Sequence, residues 1–261
     1  MEFITSKDNV KVKYVKRLIS SSSFRREEGA FVAEGKRLCE DAVRSKAQIT
    51  LSLFSQAFSE QHPDEFQRLS ACALHSYIVR DSIFCALSDT KTPQGVLFVI
   101  KRLDKKIDFD KMNKNGRVVA LESVQDPSNL GTILRSAEAF GIDLVILSAD
   151  CCDLYSPKVI RGSMGALFRQ AVAIVDDLPS AIDRFNRYGK SYAAVLDRDS
   201  SSLSDVRFSS PSLVCIGNEG SGLSEKTISS CSEKVFIPMS GDAESLNASV
   251  AASVLMWEMI R

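Results

Sequence analysis

Three stretches in the second half of the chain combine residue types that bind polar ligands. The first is a glycine-rich loop, Gly217 to Gly222 (GNEGSG), which follows the apolar run Leu213 to Ile216. Such a run is typical of a buried strand, and three glycines in six residues prevent it from continuing. Glycine leaves peptide N–H and C=O groups unshielded, as a site that grips a flat polar ligand through its backbone requires. A plain strand-to-helix turn explains this loop equally well when it is taken alone.

The second stretch has the spacing NxGxxxR, with Asn129, Gly131 and Arg135. It overlaps the segment Leu130 to Phe140, whose length and apolar spacing predict a helix. If Asn129 caps this helix, its side chain satisfies free N–H groups of the first turn, and Gly131 permits a close approach. A capped surface helix with a solvated arginine explains the same residues, so this spacing alone does not separate structure from chemistry.

The third stretch begins with a short strand, Val235 to Ile237, which Pro238 ends. Ser245 and Asn247 follow where a helix begins, and apolar residues then recur at near-helical spacing as far as Met259. Either polar residue is a good N-cap, and the same turn can present its backbone to a ligand. We expect two loops to meet at one place: the loop after Val235 to Ile237, and the glycine loop after Leu213 to Ile216.

The elements that must position these stretches alternate between strand-like and helix-like segments. The strand candidates are Val118 to Leu121, Leu144 to Leu147, Ala171 to Val175, Tyr192 to Leu196, Leu213 to Ile216 and Val235 to Ile237. The helix candidates are Leu130 to Phe140, Lys158 to Phe168, Leu178 to Tyr188, Leu223 to Cys231 and Leu246 to Met259. This alternation predicts an α/β fold, with a mostly parallel sheet and helices on both of its faces. No GxGxxG motif follows the first of these strands, which disfavours a dinucleotide-binding domain.

The first hundred residues show a different pattern. A helical segment with basic residues opposite its apolar face opens the chain, and short apolar runs such as Val96 to Ile100 predict strands. The charged stretch 101–116 is typical of a linker. We therefore divide the chain into a small N-terminal α/β domain over 1–103, a linker over 104–116 and a larger domain over 117–261.

Composition narrows the class of protein. The 33 basic and 33 acidic residues balance, so any contact with nucleic acid must be local. Basic residues concentrate near the start of the chain, where they form either such a contact or simply the solvated face of a helix. Seven cysteines without a CxxC pair, and two histidines, indicate neither a disulfide framework nor a zinc site. No apolar segment reaches the ~18 residues of a membrane span, and the start lacks an apolar signal region. We expect a soluble, cytoplasmic protein without a bound metal.

The NxGxxxR element, GNEGSGLS and IPMSGDAESLNASVA occur in this order, and together they resemble the three motifs of the SpoU (TrmH) family of RNA ribose methyltransferases, in the SPOUT class. This resemblance covers roughly residues 117–261. FVAEGKRL and LSDTKTPQGVLFVI resemble the substrate-binding domain that precedes the methyltransferase domain in many members, with a fold like that of a ribosomal RNA-binding protein. The resemblance also implies a C-terminal trefoil knot, a departure from the general rule against threading.

The resemblance implies transfer of a methyl group from S-adenosylmethionine to a ribose 2′-hydroxyl of RNA. Ribosomal RNA is favoured over transfer RNA because the first domain resembles that of the ribosomal branch. Family members usually form homodimers, which implies an interface near Trp257, although a core position for this residue is the alternative. Methylation of a tRNA ribose, methylation of a base nitrogen, and a non-catalytic RNA-binding or ribosome-assembly protein are the competing hypotheses.

The resemblance assigns roles to single residues. The catalytic candidates are Asn129, Arg135, Glu219 and Asn247. The cofactor-binding candidates are Leu196, Gly217, Asn218, Gly222, Ile237, Ser245, Leu246 and Asn247. The RNA-binding candidates are Arg25, Arg26, Lys36, Arg37, Arg161 and Ser163. Because a guanidinium keeps its proton above pH ~12, we expect Arg135 to bind a substrate phosphate and orient the hydroxyl, and Glu219 to fix Asn129 or Arg135.

Overall fold

The computed structural model of the chain describes residues 1–197, 199–241 and 245–261. Two compact units are present: Met1–Leu103 together with Tyr155–Phe168, and Asp104–Leu154 together with Arg169–Arg261. The segment Tyr155–Phe168 thus belongs to the first unit, and the domain boundaries drawn from the sequence stay a prediction. Residues 242–244 of the third sequence motif lie outside the described residues.

The first unit is built on a mixed five-stranded sheet. Its strands are β1 (Glu2–Ile4), β2 (Ala30–Glu34), β3 (Ile49–Ser55), β4 (His75–Val79) and β5 (Val96–Lys101). Its helices are α1 (Val10–Ser20), α2 (Ser22–Glu28), α3 (Lys36–Arg44), α4 (Gln56–Gln61), α5 (Pro63–Ser70) and α6 (Asp81–Leu87), with a short helix at Pro157–Gly162. The strand order is β1-β4-β3-β5-β2, in which β5 pairs antiparallel with β3 and β2 and the other pairs are parallel.

Amphipathic spacing explains how the first helices cover this sheet. In α1 the apolar residues Val12, Val15 and Leu18 are buried in the core of the unit, while the lysines between them face outward. Ser21 ends α1, and its hydroxyl accepts a hydrogen bond from the backbone N–H of Phe24, so the same residue starts α2. The predicted opening helix is therefore present, and a second helix follows it directly.

The second unit is built on a seven-stranded sheet in which every pairing is parallel. Its strands are β6 (Arg117–Leu121), β7 (Leu144–Ser148), β8 (Val172–Val175), β9 (Lys190–Ala194), β10 (Ser201–Ser202), β11 (Ser212–Ile216) and β12 (Glu233–Phe236). Its helices are α7 (Pro127–Ala139), α9 (Leu178–Phe185), α10 (Glu225–Ser230) and α11 (Ala248–Ile260). The label α8 belongs to the short helix Pro157–Gly162, which is part of the first unit. The strand order is β10-β12-β9-β11-β6-β7-β8, so the predicted mostly parallel α/β sheet is confirmed.

Continuous apolar runs explain why the sheet is parallel. Every residue of β11 is buried, which requires cover on both faces of the sheet. α9 and α10 pack on the face that Val118 and Ala120 share, and α7 and α11 pack against each other. Cys215 is fully buried in β11, as expected of a small apolar residue, and burial raises the pKa of its thiol well above the usual value.

Three parts of this architecture differ from the sequence prediction. The helix predicted over 158–168 is interrupted, because Met164 and Gly165 have φ values of 51° and 86°, and only a 3₁₀ turn follows at Ala166–Phe168. β10 was not predicted, since two serines offer no apolar run. The predicted linker contributes Phe109, which is 4% exposed in the core of the second unit.

The parallel order places several loops at one edge of the second sheet. β11 lies between β6 and β9, and β12 lies beyond β9, so the segments that leave the carboxyl ends of these strands emerge side by side. In open parallel sheets this edge is where ligands bind. The glycine loop after β11 and the segment after β12 both lie here, as the sequence analysis expected, and the start of α7 after β6 joins them.

Two kinds of feature are missing from the residues that the structure describes. None of their helices is long and apolar enough to cross a bilayer. No group of three or more histidine, cysteine, aspartate or glutamate side chains in the same ranges is placed to hold a metal ion.

Candidate active site at the carboxyl edge of the parallel sheet

Asp126, and not Asn129, caps α7. The Asp126 carboxylate accepts a hydrogen bond from the backbone N–H of Ser128 at 2.8 Å, and Pro127 occupies the first helical position, where its missing N–H costs nothing. The expectation that Asn129 caps the helix is therefore wrong. As the third residue of the helix, Asn129 keeps its side-chain amide for other contacts and is only 6% exposed.

A chain of hydrogen bonds joins three of the four predicted catalytic residues. The Nδ2 amide of Asn129 donates to Oε1 of Glu219 at 2.9 Å. The Nδ2 amide of Asn247 donates to Oδ1 of Asn129 at 3.0 Å. Glu219 thus fixes Asn129, one of the two partners that the sequence analysis allowed, and the three residues, far apart in sequence, form one group.

Both ends of this chain determine the orientation of the amides. At one end, Oδ1 of Asn247 caps α11 by accepting from the backbone N–H of Ser249 at 2.9 Å, so its Nδ2 must face Asn129. At the other end, the Glu219 carboxylate can only accept, so Asn129 must turn its Nδ2 toward it. Capping and site formation, which the sequence analysis expected to coexist at Asn247, are carried out by the same side chain.

The backbone at the start of α7 also holds Glu219. The N–H groups of Gln125 and Asp126 each donate to its carboxylate at 3.3 Å. Partial burial by itself would raise the pKa of Glu219, but the hydrogen bonds from Asn129 and from these backbone amides outweigh it and lower the pKa from its usual value. The charged form of Glu219 is therefore the form that this site stabilises.

A pH dependence of stability follows from the lowered pKa of Glu219. A carboxyl group whose pKa is lower in the folded than in the unfolded state stabilises the fold above its unfolded pKa, and this contribution disappears as the pH falls through the folded pKa. We expect Glu219→Gln to be less stable than the wild type at pH 7, with a difference that narrows below about pH 4. Urea denaturation of both proteins between pH 3 and pH 8 measures this, and a difference independent of pH would contradict it.

Asn218 closes the glycine loop on itself. Its backbone N–H and C=O pair with those of Gly222, both at 3.0 Å, and its Oδ1 accepts from the N–H of Gly220 at 2.8 Å. Its Nδ2 donates to the carbonyl oxygen of Ser123 at 2.7 Å, which ties the loop to the end of β6. A Cβ at Gly217 would lie 2.1 Å from the carbonyl carbon of Gly222, so only glycine fits there. The loop that carries Glu219 is consequently a tight unit.

Glu122, which the sequence analysis did not single out, holds the far end of the same loop. Its carboxylate accepts hydrogen bonds from the N–H and hydroxyl of Ser224, at 2.7 and 2.8 Å, and from the buried hydroxyl of Thr227 at 2.6 Å. The next residue, Ser123, has a φ of 54°, a strained value for a residue with a side chain. No short motif reveals Glu122, because its partners lie 102 and 105 positions away in the sequence.

Removal of this carboxylate should loosen the loop. Glu122→Ala leaves a buried hydroxyl and a helix-capping group without their acceptor, so we expect a loss of about 1–3 kcal/mol in the free energy of unfolding. Glu225→Ala is the matched control, because Glu225 is exposed in the first turn of α10 and makes the same change in charge. Thermal unfolding of the two variants checks this, and equal melting temperatures would show that Glu122 does not hold the loop in place.

Arg135 lies apart from this group. It is exposed on α7, and within the part of the chain that the structure describes its guanidinium has no hydrogen bond or ion pair. Six residues at 100° each place it on a different side of the helix from Asn129. The structure therefore leaves this predicted catalytic residue accessible to a substrate and brings it into no contact with Glu219.

An apolar cavity of about 140 Å³ lies beside this group, between the ends of β9 and β12 and the start of α11. Of the predicted cofactor-binding residues, those that line it are Leu196, Ile237, Ser245 and Leu246. Gly217, Asn218, Gly222 and Asn247 are not in its lining. Lining residues that the sequence analysis missed are Ala194, Val195, Val235, Phe236, Met239, Ala251 and Leu255. This apolar lining suits a small flat ligand with an apolar ring.

The cavity and the hydrogen-bonded group are joined through two consecutive residues. Leu246 lines the cavity, and Asn247 caps α11 and donates to Asn129. The chain Glu219, Asn129 and Asn247 therefore fixes the position of one wall of the cavity relative to α7. An apolar ligand pocket beside a set of fixed polar groups is the usual design of a small-molecule site.

The predicted RNA-binding residues belong to the first unit and differ in their surroundings. Arg25 is buried, and its guanidinium donates to the carbonyl oxygens of Leu18 at 2.6 Å and Ile19 at 2.9 Å, so it stabilises the end of α1. This placement disagrees with an RNA contact at Arg25, which a basic cluster in sequence could not reveal. Arg26 and Arg37 are exposed.

The other three candidates are engaged within the first unit. Lys36 forms an ion pair with Glu65 at 2.5 Å, and Arg161 forms one with Asp89 at 2.7 Å. Ser163 is fully buried, and its hydroxyl donates to the carbonyl oxygen of Ile160 at 2.8 Å. An RNA contact at Lys36 or Arg161 therefore has to compete with an existing ion pair.

Two families of known proteins match this chain. Residues 116–257 match the SpoU rRNA Methylase family, and residues 9–97 match the MRM3-like substrate binding domain. The first match covers the hydrogen-bonded group and the cavity, and the second covers most of the first unit.

Individual proteins are similar over almost their whole length. The chain is 32% identical to an uncharacterized tRNA/rRNA methyltransferase of Synechocystis, over 99% of this chain and 93% of that protein. It is 29% identical to the 23S rRNA (guanosine(2553)-2′-O)-methyltransferase RlmP of Bacillus subtilis, over 99% of each. A crystal structure of an AdoMet-bound rRNA methyltransferase from Sinorhizobium meliloti matches with a TM-score of 0.86 and 26% identity, over 99% of this chain and 97% of the other.

Proposed function

This chain belongs to the SpoU rRNA methylase family, and on that premise we propose that it methylates the 2′-hydroxyl of one ribose in ribosomal RNA. It is an S-adenosylmethionine-dependent RNA methyltransferase. The observation that carries the proposal is the chain of hydrogen bonds from Glu219 through Asn129 to Asn247, beside an apolar cavity. The similarity to RlmP, a 2′-O-methyltransferase by name, supports the ribose as the acceptor.

The cavity fits the adenosyl part of S-adenosylmethionine. An adenine carries no charge, and the walls that Leu196, Ile237 and Leu246 supply are apolar, so the residues present suit this group. When bound, S-adenosylmethionine supplies an activated methyl group. The start of α11 supplies Ser245 and Leu246 to the wall around it, and the hydrogen bonds of Asn247 hold this helix start in place.

The polar side chains of the site take little part in covalent chemistry and mainly orient the reacting groups. Arg135 is exposed and positively charged, so it binds a phosphate of the RNA and holds the neighbouring ribose hydroxyl in line for attack. Its guanidinium keeps its proton, so the hydroxyl proton leaves late, to water. Glu219 and Asn247 keep Asn129 in one orientation, and the group as a whole sets the distance between α7, which carries Arg135, and the cavity wall.

Ribosomal RNA is preferred to transfer RNA as the substrate. The match of residues 9–97 to an MRM3-like substrate binding domain, and the name of the similar RlmP, support this preference. We also propose a cytoplasmic site of action, which fits the similarity to the bacterial proteins of Synechocystis and Bacillus subtilis.

Incorporation of label from tritiated S-adenosylmethionine tests this function. Purified protein is incubated with unmodified 23S rRNA transcripts, with 16S rRNA transcripts and with unmodified tRNA, and the labelled RNA is then hydrolysed in alkali. We expect the label in an alkali-resistant dinucleotide of ribosomal RNA, because a 2′-O-methyl group blocks cleavage of the neighbouring bond. Label in a base, or in tRNA only, would contradict the proposal, and cofactor binding without any transfer would favour an assembly factor.

We propose a homodimer that forms through α11. This helix is apolar on most of its sides, and Val250 and Trp257 are 48% and 52% exposed on it, with the Trp257 ring 5.9 Å from that of Phe140. Light scattering after size-exclusion chromatography measures the mass. We expect the mass of two chains for the wild type and of one chain for Trp257→Ser, and a monomeric wild type would contradict the proposal.

We also propose the trefoil knot that the family resemblance implies for the C-terminal segment. The match of residues 116–257 to the SpoU rRNA Methylase family supports this proposal. A crystal structure with continuous density from β12 to α11 tests it, and a path that passes outside every loop would refute it.

A further inference from the structure

We propose that a cleft in the first unit binds an unpaired nucleotide of the substrate RNA, with the base stacked on His62. That the ligand is RNA rests on the proposed function; that the cleft takes an unpaired nucleotide rests on its own side chains. The cleft has a volume of about 320 Å³, at the lower end of the range of pockets that hold small organic molecules. Of the predicted RNA-binding residues, only Lys36 lines it.

Strand order explains why a cleft forms here. β5 lies between β3 and β2 and runs antiparallel to both, so the ends of β2 and β3 and the start of β5 meet at one end of the sheet. Three loops converge at this point. Gly95, with a φ of 78°, turns tightly into β5, and a Cβ on it would lie 2.5 Å from the Ser55 hydroxyl. The close approach of these loops forms the floor of the cleft.

Two rings form one wall of the cleft. Phe58 is buried and packs against Phe54, with ring centroids 5.8 Å apart. His62 is exposed, and its ring lies 5.1 Å from that of Phe58 at an angle of 44°. An exposed flat ring supported by a buried one is a platform on which a base can stack. A base inside a duplex is already stacked on both sides, so this wall selects an unpaired one.

Amide groups lie beside this platform and can read the edge of a base. Oε1 of Gln94 accepts a hydrogen bond from the backbone N–H of Lys36 at 2.8 Å, which turns its NH₂ group away and leaves it as a donor. Gln61 is exposed and supplies a second amide. Side-chain amides offer a donor and an acceptor together, as the edges of nucleobases do.

The charges near the cleft suit one phosphate. Lys36 is held by Glu65 at 2.5 Å, so its charge is largely compensated. Arg37, the next residue of α3, is exposed and has no ion pair within the described ranges. Because the lysine that lines the cleft is already paired, contact with an RNA depends on the base as much as on the phosphate. Binding at this cleft should therefore depend on stacking more than on salt.

The two histidines of the chain allow a matched test in the full-length protein. His75 is exposed like His62, but it pairs with Leu51 at the start of β3, at the opposite end of the sheet. The variants are His62→Ala, His62→Phe and His75→Ala. Their affinity for a fluorescein-labelled single-stranded RNA of 12 nucleotides, and for the same RNA annealed to its complement, is measured by anisotropy.

We expect His62→Ala to bind the single strand on the order of tenfold more weakly, with His62→Phe and His75→Ala close to the wild type and duplex binding unchanged. In methylation of 23S rRNA transcripts, His62→Ala should raise KM and leave kcat unchanged. If His62→Ala binds the single strand as tightly as the wild type, or if His75→Ala loses as much affinity as His62→Ala, the proposed nucleotide site is wrong. A wild type that methylates no RNA while His62→Ala still loses affinity would instead overturn the proposed function and leave the cleft standing.

Discussion

Replacing Asn129 with aspartate is expected to reduce methyl transfer at pH 8 by at least about 100-fold. The amide that donates to Glu219 at 2.9 Å becomes a carboxylate oxygen, so two negative charges face each other where a hydrogen bond had been. The other oxygen still accepts from Asn247, and the cavity wall at Leu246 is kept. We therefore expect S-adenosylmethionine to bind with little change while the rate of transfer falls.

The same variant should regain activity as the pH is lowered. Two carboxylates so close together share one proton when the pH approaches the raised pKa of the pair, and the hydrogen bond to Glu219 is then restored. The ratio of variant to wild-type rate should rise between pH 8 and pH 5. Asn115→Asp, at an exposed position of the second unit, is the control for the added charge. A ratio that stays constant with pH would show that Glu219 and Asn129 do not act as a hydrogen-bonded pair.

Replacing Arg135 with alanine is expected to lower kcat by about 10²–10³-fold without a change in cofactor affinity or melting temperature. Stability should not change, because the guanidinium is exposed and makes no contact within the described residues. Arg135→Lys should recover only part of the rate, since a lysine offers a point charge in place of a planar fork of donors.

Arg187→Ala provides the control for this experiment. Arg187 is another exposed arginine of the second unit, outside the cavity lining, so its loss removes a charge and nothing else that the reaction needs. Calorimetry gives the affinity for S-adenosylmethionine, and label transfer to 23S rRNA transcripts gives kcat. An Arg135→Ala enzyme with a normal rate, or one that no longer binds the cofactor, would remove Arg135 from the assigned role.

Periodicity in the sequence predicted the parallel sheet because each central strand is an unbroken apolar run. Val118 to Leu121 and Leu213 to Ile216 pair with each other in the middle of the sheet, where burial on both faces leaves no place for a polar residue. β10 escaped prediction for the same reason, since Ser201 and Ser202 form an edge that needs no apolar side chain.

The candidate site was predictable only where a residue carries a local signal. Asn247 is a helix cap, and caps are visible in sequence, whereas Glu122 is an acid at a strand end whose partners come from another part of the chain. At α7 the Asp126–Pro127 pair was a readable start signal, and it would have placed Asn129 inside the helix rather than at its end. Arg25 was predicted to contact RNA because the sequence shows its charge, but the sequence does not tell that this side chain is buried.

The hydrogen-bonded group at the sheet edge can form only late in the synthesis of the chain, because its members are far apart in the sequence. Asn129 needs Glu219, 90 positions later, and Asn247, 118 positions later, before its amide is fixed at both ends. A nascent chain that has not yet released Asn247 from the ribosomal exit tunnel therefore has no assembled site, however well its earlier strands have folded.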